Sequence, residues 1–155
     1  MQKKERAATK TQDASALKIG VVVSEYYADM ITEKLLTGAL AILREWNVLQ
    51  KNVTIVRVPG CFEIPYGCIT LLKRKKFDAL ITLGCIVKGE TDHDRYIASA
   101  VAQGIMDLTV AYRVPIAFGV LTVNNFAQAK VRSTGKHNKG SEAAIAALGA
   151  ALLSK

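Results

Sequence analysis

Residues 18–46 read KIGVVVSEYYADMITEKLLTGALAILREW and contain the two patterns from which the fold is predicted. Their first seven residues form a short β-branched apolar run, which is typical of a strand buried on both faces. From Met30 to Trp46 the apolar side chains recur at spacings of three and four, so these residues predict an amphipathic helix. Asp29 is placed to cap its start. A strand followed by a helix is therefore the first structural unit of the chain.

The same unit recurs along the chain. Apolar runs predict further buried strands at residues 53–58, 78–84 and 115–121, and helical patterns follow at about 66–76, 92–112, 124–132 and 138–153. Because such alternation favours parallel pairing, the sequence predicts an α/β fold with a four-stranded parallel sheet and helices on both faces. We expect residues 18–155 to form a single domain. Residues 1–17 are polar, carry four basic and two acidic side chains, and are expected to form a flexible basic N-terminal arm.

The composition narrows the class of protein. Half of the 155 residues are apolar and 22% are charged, which suits one compact domain with a continuous core. The formal charge of +8 should attract anions such as nucleic acid or phosphorylated metabolites. The three cysteines lack the paired spacing of a zinc site or a disulfide framework, and no apolar run suits a membrane helix or a signal peptide. We therefore expect a cytoplasmic protein without a bound metal and without contact with a membrane.

Functional residues are expected where the strands end, because ligands of open α/β sheets bind beyond the carboxyl ends of the strands. That rule selects residues 24–29, 59–65, 84–94 and 121–125. In the third segment, GCIVKGETDHD, the glycines and a helix start could hold a phosphate, although Lys88 precedes Gly89 and no Walker A motif is present. The alternative is an ordinary turn with a solvated lysine. His93, at the junction of loop and helix, suits proton transfer, or else it is a cap or a surface residue.

The remaining candidates are aromatic or charged. The segment VPGCFEIP, residues 58–65, places Phe62 and Glu63 between two prolines. A carboxylate there could accept hydrogen bonds from a polyhydroxylated ligand, or it could simply favour a helix start. Tyr26 and Tyr27 offer a surface for a planar ligand, or they close the top of the sheet. Further along, Arg132 and Lys139 lie in a basic stretch that is usually solvated, and Glu142 by default compensates a helix dipole.

Five ordered motifs resemble those of one enzyme family. They are VPGCFEIP at 58–65, GCIVKGETDH at 84–93, VPIAFGVLT at 114–122, QAKVR at 128–132 and NKGSEAA at 138–144. Together they resemble the lumazine synthases, which make 6,7-dimethyl-8-ribityllumazine. The resemblance implies a transferase that condenses 5-amino-6-(D-ribitylamino)uracil with 3,4-dihydroxy-2-butanone 4-phosphate and releases phosphate and water, the penultimate step of riboflavin biosynthesis. It implies no cofactor and a reaction that depends on aligning two small-molecule substrates and moving protons.

The resemblance also implies roles for individual residues. His93 would transfer protons, and Glu142 would assist it. Around the pyrimidine and its ribityl chain the resemblance places Tyr26, Cys61, Phe62, Glu63, Cys85, Ile86, Val87 and Lys139. Around the butanone phosphate it places Gly89, Glu90, Thr91, Phe118 and Arg132. Of these residues, Arg132, Lys139 and Glu142 would come from a neighbouring subunit.

The family has a flavodoxin-like three-layer α/β/α sandwich, assembled into homopentamers and in some members into icosahedral capsids of sixty subunits. The resemblance therefore implies at least a pentamer here, and riboflavin synthase is a candidate protein partner. The chain departs from the family at residues 25–27, where Glu-Tyr-Tyr replaces Arg-Phe-Asn, and in the loop 132–138, which is one residue short. At residues 94–96 Asp-Arg-Tyr replaces an aromatic residue, an acid and Tyr, which puts a negative charge beside His93.

Two other functions stay open at this point. A flavin- or lumazine-binding protein of the same fold would use the same aromatic residues without catalysis, and tight binding without product formation would favour it. A nucleic-acid surface would use the positive charge, and salt-sensitive binding of duplex DNA would favour it. The basic residues are spread along the chain, however, with residues 73–76 as the only dense run. We therefore expect no nucleic-acid partner.

Overall fold

The computed structural model describes residues 12–155, which form one sheet covered by helices on both faces. The strands are β1 Ile19–Ser24, β2 Val53–Val58, β3 Ala79–Val87 and β4 Ile116–Val123. The helices are α1 Glu33–Glu45, α2 Ile64–Arg74, α3 His93–Tyr112, α4 Phe126–Arg132 and α5 Lys139–Leu152. Short helical turns precede α1 at Ala28–Thr32 and α2 at Cys61–Glu63. Of the helices within residues 12–155, none combines the length and the apolar character needed to cross a bilayer.

All neighbouring strands pair in parallel, in the order β2-β1-β3-β4. This confirms the four-stranded parallel sheet, and the order corresponds to the first four strands of the flavodoxin-like arrangement 2-1-3-4-5. The central strands β1 and β3 are buried almost throughout, whereas β2 and β4 are partly exposed. The expectation of four buried strands is therefore correct only for the central pair, because each edge strand has a neighbour on one side.

Successive side chains of β1 enter two separate cores. Val21 and Val23 pack with the buried side chains of α1 and α5, whereas Val22 packs with those of α2 and α3. The sheet is thus the middle layer of three. This arrangement confirms the α/β/α sandwich.

Residues 12–17 of the expected N-terminal arm lie against the domain. Ala14 and Leu17 are buried in the core formed with α1 and α5, and the Ala14 N–H donates to the Trp46 carbonyl at 2.8 Å. These contacts anchor the described part of the arm. The rest of the expected arm lies outside the described residues.

β3 continues to Val87, three residues beyond the end that the sequence predicts at Gly84. Gly84 lies inside the strand, where a Cβ atom would be 2.6 Å from the Cys61 Sγ atom. This glycine therefore serves close packing rather than a turn. Val87 pairs with Val123, so β4 also runs two residues past its predicted end.

α1 does not begin as the sequence predicts. Tyr27, and not Asp29, precedes the first helical turn, in the left-handed conformation with φ of 62°. Its carbonyl accepts hydrogen bonds from the N–H groups of Ile31 and Thr32 at 2.9 and 3.2 Å. Asp29 lies inside the Ala28–Thr32 turn. A backbone turn thus replaces the expected side-chain cap and leaves Tyr26 at the carboxyl end of β1.

Candidate active site

The segments that follow β1, β2 and β3 meet in one surface. Two N–H groups after β1, on Glu25 and Tyr26, donate to carbonyl groups at the end of β2 at 2.8 and 3.1 Å. The Cys61 thiol donates to the Cys85 carbonyl, with Sγ and O 3.6 Å apart. We call residues 24–28, 59–63 and 85–93 together the strand-end surface.

Two aromatic rings project from the strand-end surface. Tyr26 and Phe62 are each 62% exposed. The ring centroid of Tyr26 lies 4.6 Å from that of Tyr27, which lies 4.9 Å from that of Phe126, and both pairs meet edge to face. Tyr27 therefore supports Tyr26 and links it to the first residue of α4. Exposed rings held in this way can stack on a planar ligand.

Glu63 is a half-buried carboxylate directly before α2. A Cβ atom at Gly60 would lie 3.0 Å from its Oε2 atom, so the glycine leaves room for the carboxylate. The N-terminus of α2 favours the negative charge. A carboxylate fixed beside Phe62 is suited to accept hydrogen bonds from hydroxyl groups.

Cys61, Cys68 and Cys85 are free and buried, so they serve as small core residues. Burial raises the pKa of all three thiols, to about 12 for Cys68 and Cys85. The thiols are therefore protonated at neutral pH and are poor nucleophiles. Of the two that the resemblance places near substrate, Cys61 is 7% and Cys85 2% exposed, so their side chains lie beneath the surface.

The end of β3 adds backbone groups to the strand-end surface. β1 pairs with β3 only as far as Leu83, whereas β4 pairs with it through Val87. Residues 84–87 thus extend beyond the last pair with β1, so β1 does not cover this part of β3. Ile86 and Val87 belong to this extension. Leu80 and Lys88 donate to carbonyls on the β4 side, so Ile86, in the same alternation, turns its N–H and carbonyl groups towards β4, whereas those of Val87 lie on the open side and can bond the edge of a heterocycle.

The loop between β3 and α3 is open to solvent. Gly89, Glu90 and Thr91 are exposed, and His93 is the exposed first residue of α3. The His93 N–H donates a long hydrogen bond of 3.4 Å to the Thr91 hydroxyl. The free N–H groups of this helix start can bind an anion. Within residues 12–155, no three His, Cys, Asp or Glu side chains are grouped as a metal site requires.

The charges of the loop oppose anion binding by the loop alone. Residues 88–95 carry three carboxylates and two cations. One of these cations, Arg95, lies 3.9 Å from the Asp92 carboxylate in a loose, exposed pair. A phosphate at this helix start would therefore need a further cation from elsewhere.

A second candidate surface lies at the free edge of β4. There a groove of about 370 Å³ is lined by residues 118–122, Arg132, Lys139, Glu142, Ala143 and Ala146, and we call it the β4 groove. Phe118 is 46% exposed. Arg132 donates to the Gln128 carbonyl at 3.1 Å, and Lys139 donates to both carboxylate oxygens of Glu142 at 2.8 Å. The groove thus combines an aromatic ring, two cations and one carboxylate.

Asn138 fixes the start of α5 beside this groove. Its Oδ1 atom accepts from two N–H groups in the first turn of α5, and its Nδ2 atom donates to the carbonyls of Lys34 and Ser133, both at 2.8 Å. Asn138 is buried, and these bonds tie α5 to α1 and to the end of α4. They hold the backbone that carries Lys139 and Glu142.

The residues predicted for one site therefore lie on two surfaces of the chain. None of the residues that line the β4 groove belongs to the strand-end surface. Phe118, which the resemblance places around the butanone phosphate, lines the β4 groove with Arg132, Lys139 and Glu142. The reason is its place in β4, five residues before the carboxyl end at Val123.

Both surfaces fall within the range matched by one protein family. Residues 16–155 match the family model described as 6,7-dimethyl-8-ribityllumazine synthase. The chain belongs to this family. Membership in the 6,7-dimethyl-8-ribityllumazine synthase family confirms the resemblance that the five motifs indicate.

Curated relatives of the same name cover most of the chain. The 6,7-dimethyl-8-ribityllumazine synthase of Parabacteroides distasonis is 44% identical over 137 residues, which is 88% of this chain and 85% of the relative. That of Porphyromonas gingivalis is 45% identical over 133 residues, or 85% of this chain and 82% of the relative. That of Flavobacterium psychrophilum is 43% identical over 142 residues, or 91% and 75%. A de novo designed Rossmann fold protein covers 74% of this chain and 91% of its own at 15% identity, with a TM-score of only 0.38.

The sequence does not indicate the supporting roles of two residues. Phe126 packs against Tyr27, and nothing in the sequence around it indicates that contact. Asn138 precedes a helical pattern, which is a recognisable signal for a cap, but its bonds to α1 and to the end of α4 depend on the fold.

Proposed function

We propose that the chain is a 6,7-dimethyl-8-ribityllumazine synthase. It condenses 5-amino-6-(D-ribitylamino)uracil with 3,4-dihydroxy-2-butanone 4-phosphate, releases phosphate and water, and so acts at the penultimate step of riboflavin biosynthesis. The observation that carries this function is the family match over residues 16–155, a range that includes the whole of both surfaces.

The strand-end surface binds the pyrimidine substrate. Tyr26 and Phe62, both exposed, supply rings for stacking, and the Glu63 carboxylate accepts hydrogen bonds from the ribityl hydroxyls. Beside Ile86, the backbone of Val87, on the part of β3 that extends beyond β1, bonds the polar edge of the pyrimidine. Cys61 and Cys85 lie beneath these groups.

The phosphorylated substrate binds at the start of α3. Gly89, Glu90 and Thr91 bring its phosphate to the free N–H groups of the helix. Because residues 88–95 carry more acids than bases, a further cation is needed, and Arg132 supplies it. A guanidinium can bind two phosphate oxygens at once, which fixes orientation as well as adding charge.

The reaction then depends on alignment and proton transfer. The amine attacks the ketone and loses water to form an imine, phosphate is eliminated, and the second ring closes with the loss of a second water. His93 exchanges protons with the reacting groups, because it is exposed at the start of α3 beside residues 89–91 and an imidazole can both donate and accept a proton. Glu142 assists it, Phe118 forms a wall of the butanone pocket and Lys139 lies near the pyrimidine. No cofactor takes part in these steps.

The complete site is shared by two copies of the chain. Residues 88–95 carry one excess negative charge, and the side chains of the β4 groove carry one excess positive charge. The two surfaces are therefore electrostatically complementary. Because the surfaces differ, their contact is head to tail, and such a contact gives a ring when its rotation closes after a few copies. We take the ring to be the homopentamer of the family, and an icosahedral capsid of sixty subunits would be built from twelve such rings.

The thiols of the enzyme bear on its cellular compartment. Three free, buried cysteines fit a reducing compartment, and we place the protein in the cytoplasm. Riboflavin synthase is the proposed protein partner. Co-sedimentation of the two purified proteins tests this association.

Mixing the purified protein with both substrates, and following lumazine by absorbance and fluorescence above the uncatalysed background, tests the reaction. We expect acceleration that is lost when His93 is replaced by Ala. Ligand binding without any acceleration would instead support a binding protein of the same fold.

Subunit mixing tests the shared site. H93A and R132A chains, each weakly active alone, should regain activity when co-assembled, because about a quarter of the interfaces in a random ring then join two intact halves. Size by light scattering should correspond to a pentamer or a larger assembly. An active monomer, or the absence of any recovery in mixed assemblies, would contradict the shared site.

A further inference from the structure

The Cys61 thiol lies beside the part of β3 that β1 does not reach. β1 ends at Ser24, and its last pair with β3 is at Leu83. Just beyond that point the Cys61 Sγ atom donates to the Cys85 carbonyl at 3.6 Å. A Cβ atom at Gly84 would come within 2.6 Å of the sulfur, so the absence of a side chain there lets the thiol lie against the strand.

The surroundings keep this thiol in its donating form. Cys61 is 7% exposed, and burial raises the pKa of its thiol. The proton therefore stays on the sulfur at neutral pH and is available to the Cys85 carbonyl. The Ser24 hydroxyl, fully buried and without a hydrogen-bond partner among residues 12–155, lies close to the same thiol.

We propose that Cys61 is a positioning residue that sets the separation between two sides of the pyrimidine site. One side is Phe62 and Glu63, which follow it in the Cys61–Glu63 turn, and the other is the end of β3 at Ile86 and Val87, which follows its partner Cys85. The bond between thiol and carbonyl holds the turn at a fixed distance from β3. The role rests on the proposed function, because only a ligand between these two sides makes their separation matter.

Kinetics of two variants test the role. Cys61→Ala removes the donor, whereas Cys61→Ser keeps a donor of similar size. We expect C61A to raise the KM for the pyrimidine substrate about 2- to 10-fold, the effect of one neutral hydrogen bond, while kcat and the KM for the butanone phosphate change by less than about twofold. C61S should stay within about twofold of the wild-type values.

Cys68→Ala is the matched control. Cys68 is another fully buried thiol, it lies in α2, and its loss leaves the same small cavity without touching the Cys85 carbonyl. C68A should lower Tm but leave both KM values unchanged. An unchanged pyrimidine KM in C61A, a parallel change in both KM values, or a C61S variant as impaired as C61A would overturn the role.

Amide hydrogen exchange separates this role from the proposed function. If the wild-type protein makes no lumazine, the proposed reaction fails, but the exchange rates of residues 61–64 still report whether the thiol holds the turn. C61A should exchange faster in this segment than the wild-type, C61S and C68A proteins. Equal exchange in all four proteins would overturn the role of Cys61 whatever the enzyme does.

Discussion

The ammonium group of Lys139 lies 2.8 Å from both carboxylate oxygens of Glu142, one turn further along α5. The two side chains are 41% and 44% exposed, so solvent screening leaves this pair little effect on folding stability. Its consequence is geometric, because it holds the Glu142 carboxylate at the β4 groove with Arg132. In a single chain that carboxylate is paired with Lys139 and belongs to a different surface from His93. The proposed proton transfer therefore needs the next subunit.

Replacing His93 by Ala should lower kcat by about 100-fold. This is the lower end of the contributions that acid–base groups make, because the alignment of the two substrates is retained. Steady-state lumazine formation measures the effect. His137→Ala is the matched control, since His137 is the other histidine of the chain and is also exposed. Equal rates for H93A and H137A would contradict the role of His93.

Replacing Arg132 by Ala should raise the KM for the phosphorylated substrate by about 10- to 100-fold, the range expected for charge-assisted hydrogen bonds. The KM for the pyrimidine should change far less. The folded chain loses only an exposed bond to the Gln128 carbonyl, so Tm should stay nearly constant. Arg44→Ala, at an exposed arginine of α1, is the control. An equal rise in both KM values would show that Arg132 does not select the phosphate.

The sequence predicts the positions of β1 and β2 well because each is a short β-branched run with few polar residues. β2 spans the predicted residues 53–58, and β1 begins one residue after its predicted start. The prediction of β3 is wrong at its end, because Gly84 leaves space for Cys61, a contact between segments 23 residues apart that no local pattern contains. The sequence also does not predict the left-handed backbone of Tyr27, because that conformation depends on how the chain turns between β1 and α1.

The sequence predicts the individual residues of the candidate site but not their arrangement in space. The resemblance assigns Arg132, Lys139 and Glu142 to a neighbouring subunit, and all three line the β4 groove, apart from the strand-end surface. It does not assign Phe118 to that group, although Phe118 lines the same groove. The position of Phe118 depends on β4 being the edge strand, which no motif in the sequence indicates.

Replacing Gly84 by Ala should destabilise the protein by about 1–3 kcal/mol, the usual cost of overpacking. The new methyl group would meet the Cys61 sulfur at 2.6 Å and the Ile64 side chain at 3.1 Å. Gly149→Ala is the control. Gly149 lies in α5, and a Cβ atom there would have no neighbour within 4 Å among the described residues. G149A should be neutral or stabilise the helix by up to about 1 kcal/mol. Urea denaturation compares the two, and an equally stable G84A would contradict the tight contact.

The three thiols should resist modification in the folded protein at pH 8. Burial raises the pKa of Cys68 and Cys85 to about 12, so only about one molecule in ten thousand carries either thiolate at that pH. A disulfide reagent followed by absorbance should label none of the three within minutes. In urea, where burial is lost, all three should react. Rapid labelling of the native protein would show that the strand-end surface opens to solvent.

The stability of the protein should fall in acid through Asp78. Burial alone raises the pKa of this carboxyl, but the Lys18 N–H at 2.7 Å and the Lys155 ammonium at 2.9 Å together hold the pKa below its usual 3.8. A pKa that is lower in the folded state stabilises the protein above the unfolded value, and this contribution is lost as the pH falls through the folded value. Asp78→Asn should therefore cost about 1–2 kcal/mol of unfolding free energy at pH 7, and the difference from wild type should shrink below about pH 4.

Asp107→Asn, at an exposed carboxyl bonded only to Gln103 among the described residues, should cost less than about 0.5 kcal/mol at either pH. Urea unfolding at the two pH values measures both variants, and a cost for D78N that stays the same in acid would show that the loss does not come from the charge of Asp78.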